Sequence, residues 1–310
     1  PTANEGQIWY NTTSYALKFD AVGAGAWASA PAINTGRGVM ACTGIVTAAL
    51  IFGGTPGYAG ETELYNGSTW SEKSDLIAGV ENNIGFGTST AAVNCGGLLA
   101  PSGTDSNNTE TWDGTSWTTS PANMTTARSK LSAANQGTTT AGLIFAGSFP
   151  GTSTNVDLTE SWNGSAWTEV ADINTARRGG AGAGTSTAAL LATGYIGPGA
   201  NFSTAVETWN GTSWSQVNIV NTARQTAGSA GTTTTALIYG GNPGQQAVTE
   251  KWDGTCWSEV ADLGTGREGL GKGTGLSGTS ALAVGKDGSP NTLTEVWDGA
   301  PAVVKTVTVS

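Results

Sequence analysis

Short apolar runs recur along the chain at similar intervals, and each ends in small residues. They are AALIFGG 48–54, AAVNCGG 91–97, GLIFAG 142–147, ALLATG 189–194, ALIYGG 236–241 and ALAVGK 281–286. Each run is too short for a typical helix and is apolar on both faces, which favours a buried central β-strand. The pattern therefore predicts repeated units, each with one central strand.

A turn between two aromatic segments follows every apolar run. The turn dipeptides are Asn66-Gly67, Asp113-Gly114, Asn163-Gly164, Asn210-Gly211, Asp253-Gly254 and Asp298-Gly299. Asn-Gly and Asp-Gly favour two-residue hairpins in which both central residues have positive φ. With Asp113-Gly114 at the tip, Trp112 is expected opposite Thr115 and Glu110 opposite Trp117. The two tryptophans would then be diagonal neighbours on one face of the sheet.

Tryptophan marks the repeat most clearly. The second Trp of the hairpin falls at 27, 70, 117, 167, 214 and 257, with spacings of 43, 47, 50, 47 and 43 residues. Because nearly every unit has these side chains, we predict that they pack between sheets rather than stack on sugars, which is the alternative. The candidate packing residues are Trp70, Trp112, Trp117, Trp162, Trp167, Trp209, Trp214, Trp252 and Trp257.

Each unit predicts four strands: a thin Gly/Ala-rich strand such as 177–185, the apolar run, and the two arms of the hairpin. A single sheet of this size cannot bury its own faces, whereas radial stacking of such sheets can. The sequence predicts an all-β fold, a six-bladed β-propeller of four-stranded blades. The strand around Trp27 would complete the last blade. The expected organisation is an N-terminal extension or hairpin at 1–25, the propeller at 26–300 and a C-terminal tail strand at 301–310.

Over residues 27–298 the units resemble the kelch repeat. The resemblance rests on the small residues after the apolar strand, the Glu-x-aromatic-Asp/Asn motif, the following Trp and a later Arg. The second unit departs from the pattern because it has Val80 where the other units have Arg. The repeated charged residues are Glu63, Glu110, Glu160, Glu207, Glu250 and Glu295, with Arg37, Arg128, Arg177, Arg224 and Arg267.

These charged residues have two interpretations. A pair of the glutamates could act as acid and base in glycoside cleavage. A catalytic centre, however, needs unequal groups whose pKa values are separated, and six equivalent carboxylates do not supply them. We therefore predict a structural ring of ion pairs or hydrogen bonds.

Composition excludes several classes of function. The formal net charge is −10, so no basic footprint for nucleic acid is present. The chain has no histidine, which excludes Ser-His-Asp and Cys-His catalysis and His-ligated metal within it. No apolar run approaches the length of about 20 residues that spans a bilayer. We expect no catalytic residues, no metal, no cofactor and no membrane span.

The loops between the second and third strands vary most between units, and loops on a rigid scaffold commonly carry recognition. The alternative is that they are merely tolerant surface loops. The candidate binding residues are Tyr58, Asp105, Asn107, Phe149, Tyr195, Phe202, Gln245 and Asp287.

Together with a Thr/Ser/Asn/Gly-rich composition, the segment PTANEGQIWYNTTSYALKF resembles kelch-like structural proteins of tailed phages, especially marine ones. The resemblance implies a non-enzymatic tail or fibre protein, in a virion or extracellular. Other virion proteins and a host-surface glycan or protein would be its partners, and several copies would form an assembly. A secreted carbohydrate-active propeller enzyme, a bacterial surface adhesin and an intracellular adaptor are the alternatives.

Overall fold

The computed structural model describes residues 8–11, 16–22, 25–149, 151, 154–271, 273–287, 291–299 and 302–306. These residues form β-strands, turns and loops, and they contain no helix. Within these ranges there is consequently no helical segment of the length and apolarity that crossing a membrane requires. The all-β fold predicted from the sequence is confirmed.

Five antiparallel sheets share one pattern of four strands in chain order, which we number from the inner to the outer strand. The strands are Ala41–Ile45, Ala48–Phe52, Thr62–Tyr65 and Trp70–Lys73 in sheet 1; Ile84–Gly87, Ala92–Cys95, Thr109–Trp112 and Trp117–Thr119 in sheet 2; Ser132–Ala133, Gly142–Phe145, Thr159–Trp162 and Trp167–Val170 in sheet 3; Ala181–Thr185, Ala188–Ala192, Val206–Trp209 and Trp214–Val217 in sheet 4; and Gly228–Gly231, Ala236–Tyr239, Thr249–Trp252 and Trp257–Val260 in sheet 5.

Sheet 6 combines two distant parts of the chain. Ser280–Val284 pairs with Thr294–Asp298, and Thr294–Asp298 pairs on its other side with Ala26–Ala30. Residues near both ends of the described chain therefore lie in one sheet. The remaining strands form three small sheets: Val80–Glu81 with Leu98–Leu99 and Thr104–Asp105; Tyr195–Gly197 with Asn201–Phe202; and Ile8–Asn11 with Ala16–Val22 and Ala302–Thr306.

The apolar core lies between sheets rather than within any one of them. Phe52 of sheet 1 packs edge-on against Trp117 of sheet 2, with ring centroids 4.7 Å apart. The same kind of cluster joins sheet 6 to sheet 1, where Leu282 packs near Ile51 and Trp70. Small residues let the inner strands approach closely: a Cβ on Gly182 would lie 2.3 Å from the carbonyl oxygen of Ala133 in sheet 3.

The hairpin register predicted from the sequence is wrong: the turn lies one residue further along the chain, so each residue of the third strand has a partner two positions later than expected. Asp113 N–H donates to the carbonyl of Ser116, and Trp112 is paired directly with Trp117. The central residues of the turn are thus Gly114 and Thr115, and only the glycine has positive φ, at 96°. Glycine at the first central position is typical of a type II′ turn. The Asp113 carboxylate determines this choice, since it accepts hydrogen bonds from the amides of Thr115 and Ser116.

The corrected register places the two tryptophans of each hairpin in direct contact. Trp112 and Trp117 have ring centroids 5.4 Å apart, and the pairs in sheets 3, 4 and 5 are similar. The second Trp also reaches the preceding sheet: Trp117 Nε1 donates to Thr62 Oγ1 at 2.9 Å. The equivalent bonds link Trp167 to Thr109, Trp214 to Thr159 and Trp27 to Thr249.

Sheet 5 lacks this bond because sheet 4 has Val206 at the Thr position. Trp257 Nε1 is buried and has no hydrogen-bond partner among the described residues. Val206 is fully buried in the same cluster as Trp257. An unsatisfied buried donor costs free energy that a hydroxyl at this position would recover.

We therefore expect Val206→Thr to raise the free energy of unfolding by about 1 kcal/mol. Chemical denaturation monitored by tryptophan fluorescence measures the change. The control repeats the substitution in a Trp257→Phe background, which has no N–H to donate, and there it should destabilise. Equal effects in the two backgrounds would contradict the proposed hydrogen bond.

Candidate functional site

Six backbone hydrogen bonds form a closed circle at one end of the six sheets. The six residues lie in the connections that enter the sheets and are Val39, Asn82, Lys130, Gly179, Thr226 and Gly269. Each amide donates to the carbonyl of the preceding member, and Val39 donates to Gly269, with distances of 2.7–3.1 Å. We call these residues the axial ring.

All members of the axial ring have positive φ, between 46° and 64°. Glycine adopts such values readily, but a β-branched residue such as Val39 does so only with strain. The circle therefore holds four non-glycine residues in an unusual backbone conformation. Strained backbone of this kind is common at functional sites, so the surface around the axial ring is a candidate site.

A cavity of about 230 Å³ lies at the axial ring, and all six ring residues line it. Its charged lining consists of Glu81, Lys130, Arg178, Glu268 and Asp287. Four of these are ring residues or directly precede one, and Asp287 N–H donates to the carbonyl of Glu268. The hydrogen-bonded circle thus fixes the backbone positions from which most of the charged side chains extend.

The two cations occupy neighbouring positions of the circle. Burial lowers the pKa of Lys130, and the nearby Arg178 lowers it further. The Lys130 ammonium makes no hydrogen bond or ion pair with any residue that the structure describes. The Arg178 guanidinium lies over the ring of Tyr195, 4.5 Å from its centroid.

The acids lie on the other arc. Burial raises the pKa of Glu81, and the Asp287 carboxylate raises it too, while hydrogen bonding to Thr55 acts in the opposite direction. The Glu268 carboxylate accepts a short hydrogen bond from the Asn242 side-chain amide. The cavity therefore has a cationic side and an anionic side.

The structure brings some of the predicted loop residues together and separates others. Asp287 lines the cavity, and Tyr195 contacts both Arg178 and Phe202. Asp105 is half-buried, and burial raises the pKa of its carboxyl even though Ser129 donates to it.

Of the eight predicted loop residues, Asp287 alone lines this cavity; Tyr195, Phe202, Asp105 and the remaining four do not. Asn107 serves the scaffold, since its amide donates to the carbonyl of Met124. The Tyr58 hydroxyl lies beside Gly103 in the next loop. Phe149 is exposed, and Gln245 lies in a loop with positive φ.

Glu81, Lys130, Arg178 and Glu268 were missed by the reasoning from sequence. One feature of the sequence could have identified them. They lie one or two residues after the repeated Arg, or after Val80 that replaces it, and the units differ from one another at these positions. Gly38, Ser129 and Gln225 occupy the corresponding site in other units.

The repeated arginines and glutamates form five buried ion pairs, each within one repeat. They are Arg37–Glu63 at 2.9 Å, Arg128–Glu160 at 3.0 Å, Arg177–Glu207 at 2.7 Å, Arg224–Glu250 at 3.0 Å and Arg267–Glu295 at 2.6 Å. The second carboxylate oxygen accepts from a backbone amide in the incoming connection, as Glu207 does from Asn174. Each pair thus fastens the connection to the third strand, immediately before the axial ring.

Glu110 is the exception, because Val80 replaces its arginine. Its carboxylate is buried and accepts a hydrogen bond from the amide of Ile77 at 2.9 Å. Burial raises the pKa of Glu110 above its ordinary value of 4.5, although the amides of Ile77 and Ala78 act in the opposite direction. This connection is held by a lone carboxylate where the others use an ion pair.

The described residues contain no cluster of three or more Cys, Asp or Glu side chains arranged to hold a metal ion. The chain supplies no histidine as an alternative ligand. The chemistry of the cavity is therefore that of two cations and three carboxylates.

Comparison with known proteins identifies the architecture and nothing finer. No family model matches the chain. No curated protein matches it either. Among solved structures it is similar to YjhT, with a TM-score of 0.70, 12% sequence identity, and coverage of 90% of this chain and 97% of that chain. The chain has a β-propeller fold. At this identity the similarity extends to the fold alone.

The buried glutamates provide a test of their different roles. Glu207→Gln leaves the Arg177 guanidinium buried without its counter-charge, and we expect it to lower the free energy of unfolding by about 3 kcal/mol. Glu110→Gln removes a carboxylate that has no counter-charge, so at neutral pH we expect the free energy of unfolding to stay the same or to rise.

The pH dependence follows from the raised pKa of Glu110. Between the ordinary and the raised value, the folded protein binds more protons than the unfolded chain, so this group's contribution falls as pH rises. The advantage of Glu110→Gln over the wild type should therefore be absent at pH below 4.5 and appear as pH rises through the raised pKa. Denaturation of both proteins across this range measures it, and a pH-independent difference would refute the assignment.

Proposed function

We propose that this protein is a non-enzymatic recognition module of kelch-like type, a tail or fibre protein of a virion that binds a host-surface glycan or protein. The observation that carries the proposal is the charged cavity at the axial ring. It lies among the connections that enter the sheets and the loops that follow the second strands, where the repeat varies most.

The scaffold under this surface favours binding without large rearrangement. The axial ring ties the six connections to one another, and the buried ion pairs tie five of them to their own sheets. Recognition by loops depends on such rigid support, because less conformational freedom is lost on binding.

The virion location rests on the resemblance of the N-terminal segment and of the polar composition to phage structural proteins. It predicts that several copies occur on one particle, which would strengthen a weak single contact through multivalency. A bacterial surface adhesin would use the same face, and the particle experiment below separates the two.

A carbohydrate-active enzyme is the second candidate, and one observation favours it. Glu81, Glu268 and Asp287 are carboxylates in unequal surroundings around a single cavity. Unequal carboxylates are what acid–base catalysis requires. No aromatic side chain lines this cavity within the described residues, so a stacking platform for a sugar ring is not found there.

Binding to host cells and to arrayed glycans tests the recognition face. We expect Arg178→Ala and Tyr195→Ala each to weaken binding about tenfold or more, since they remove a charge and its aromatic support. Lys73→Ala on the exposed outer strand of sheet 1 is the matched control and should bind like the wild type. Unchanged binding by both face variants would show that recognition lies elsewhere.

Mass spectrometry of purified particles tests the location. The chain should be present in a fixed copy number for each particle, and it should be absent from the soluble cytosol. A free cytosolic monomer would contradict the virion assignment, and recovery from the cell envelope would favour the adhesin.

The enzymatic alternative is tested by incubating the protein with the glycans that it binds and analysing the products. The proposal expects no product with the wild type. If the wild type forms product and Glu81→Gln binds the glycan without forming product, the protein is an enzyme and the non-enzymatic proposal is wrong.

A further inference from the structure

The arrangement of charged side chains around the axial cavity indicates the class of ligand that it suits. In ring order, its charged groups are Glu268 with Asp287, then Glu81, then Lys130, then Arg178, followed by the neutral Gln225. Like charges are therefore grouped, with the acids on one arc and the cations on the other. A cavity that served only as scaffold would gain from alternating charges, which neutralise one another locally.

The cationic arc favours an anionic group. Lys130 makes no ion pair with the described residues, although three acids, Asp105 outside the cavity lining and Glu81 and Asp287 within it, are near enough to affect its pKa. Besides burial, the largest influence on the pKa of Lys130 is a second cation, Arg178. Two adjacent cations in a partly desolvated cavity gain most from a shared anion, and a carboxylate matches the planar fork of an arginine.

The acidic arc favours a cationic group for the same reason. Glu81 and Asp287 repel one another, which contributes to the raised pKa of Glu81, and a cation between them would remove that repulsion. Glu81 makes no ion pair with the described residues. An ammonium donates to several carboxylates at once, so it suits this arc.

Size limits the ligand further. Pockets for drug-sized molecules measure roughly 300–1,000 Å³. The cavity of about 230 Å³ is smaller, so it suits a single small molecule or the end of a larger one.

We infer that the axial cavity binds a small zwitterion, with its anionic group against Lys130 and Arg178 and its ammonium group against Glu81, Glu268 and Asp287. The inference rests on the proposed recognition function and names the ligand class for the same face. Amino acids and amino sugars that carry a carboxylate have this chemistry.

Isothermal titration calorimetry with the full chain tests the inference directly. The probes are the proteinogenic amino acids and muramic acid, each compared with its N-acetylated form and its carboxamide. We expect at least one zwitterion to bind, and both modified forms of it to bind about tenfold more weakly or worse, because each loses one charged contact.

Two variants locate the charged contacts. Lys130→Met should weaken the preference for carboxylate over carboxamide, and Glu81→Gln the preference for ammonium over its acetylated form, because each removes one of the partners of that charge. Lys73→Met and Glu259→Gln make the same changes on exposed outer strands and should bind like the wild type. Thermal denaturation of each variant shows whether it is folded, and the change in preference, unlike a general loss of affinity, does not arise from partial unfolding.

The outcomes distinguish the inference from the function on which it rests. Binding of no zwitterion, or binding that ignores one of the two charges, overturns the zwitterion assignment. If glycan or cell binding persists and still depends on Arg178 and Tyr195, the recognition function stands without it. If that binding is also absent, both proposals fail.

Discussion

The closed circle of six amide hydrogen bonds at the axial ring is the constraint on which the rest of this structure depends. Each bond uses the amide of one connection and the carbonyl of the one before it, so every sheet must present the same backbone atoms at the same distance from the axis. That requirement explains the positive φ at all six positions, including Val39, where it is strained. It also explains the Gly/Ala-rich inner strands, because larger side chains would keep the sheets too far apart.

The scaffold and the candidate site share the same short segments. In five connections a buried arginine pairs with the glutamate of the third strand, and the residue two positions later belongs to the axial ring and lines the cavity. Arg177 and Arg178 show the division: the first is completely buried in an ion pair, and the second lies against Tyr195 at the cavity. Because backbone atoms make the ring, the side chains at these positions are free to differ. A repeated framework can therefore carry an irregular set of charges.

Much of the fold was predictable because it depends on local signals. Recurrent apolar runs and Asn-Gly or Asp-Gly turns locate the strands, and the tryptophans at fixed intervals indicate packing between sheets. The register was wrong because the Asp113 carboxylate binds the turn amides, which moves the tip to Gly114 and Thr115. The cavity was not predictable, because Lys130 and Arg178 are 48 positions apart in the sequence and meet only through the ring. Asp287, by contrast, belonged to a loop whose variation was visible in the sequence.

The exceptions show what the ion pairs contribute. A buried pair must repay the desolvation of both charges, so its net contribution to stability is small compared with an apolar substitute. The connection with Val80 and Glu110 forms the same ring hydrogen bonds without a pair, and its ring residue Asn82 has the same backbone conformation as the others. The arginine is thus not required for the ring to close. The guanidinium instead restrains the orientation of the connection. In sheet 4 Arg177 donates to Glu207 and to the carbonyls of Thr175 and Leu191, so the connection is held from several sides. In the connections that carry Arg178 and Glu268, these bonds fix the backbone from which the cavity side chain extends. Glu81 reaches the same cavity from the connection with Val80, which has no ion pair, so there the ring hydrogen bonds and the Glu110 carboxylate fix the backbone.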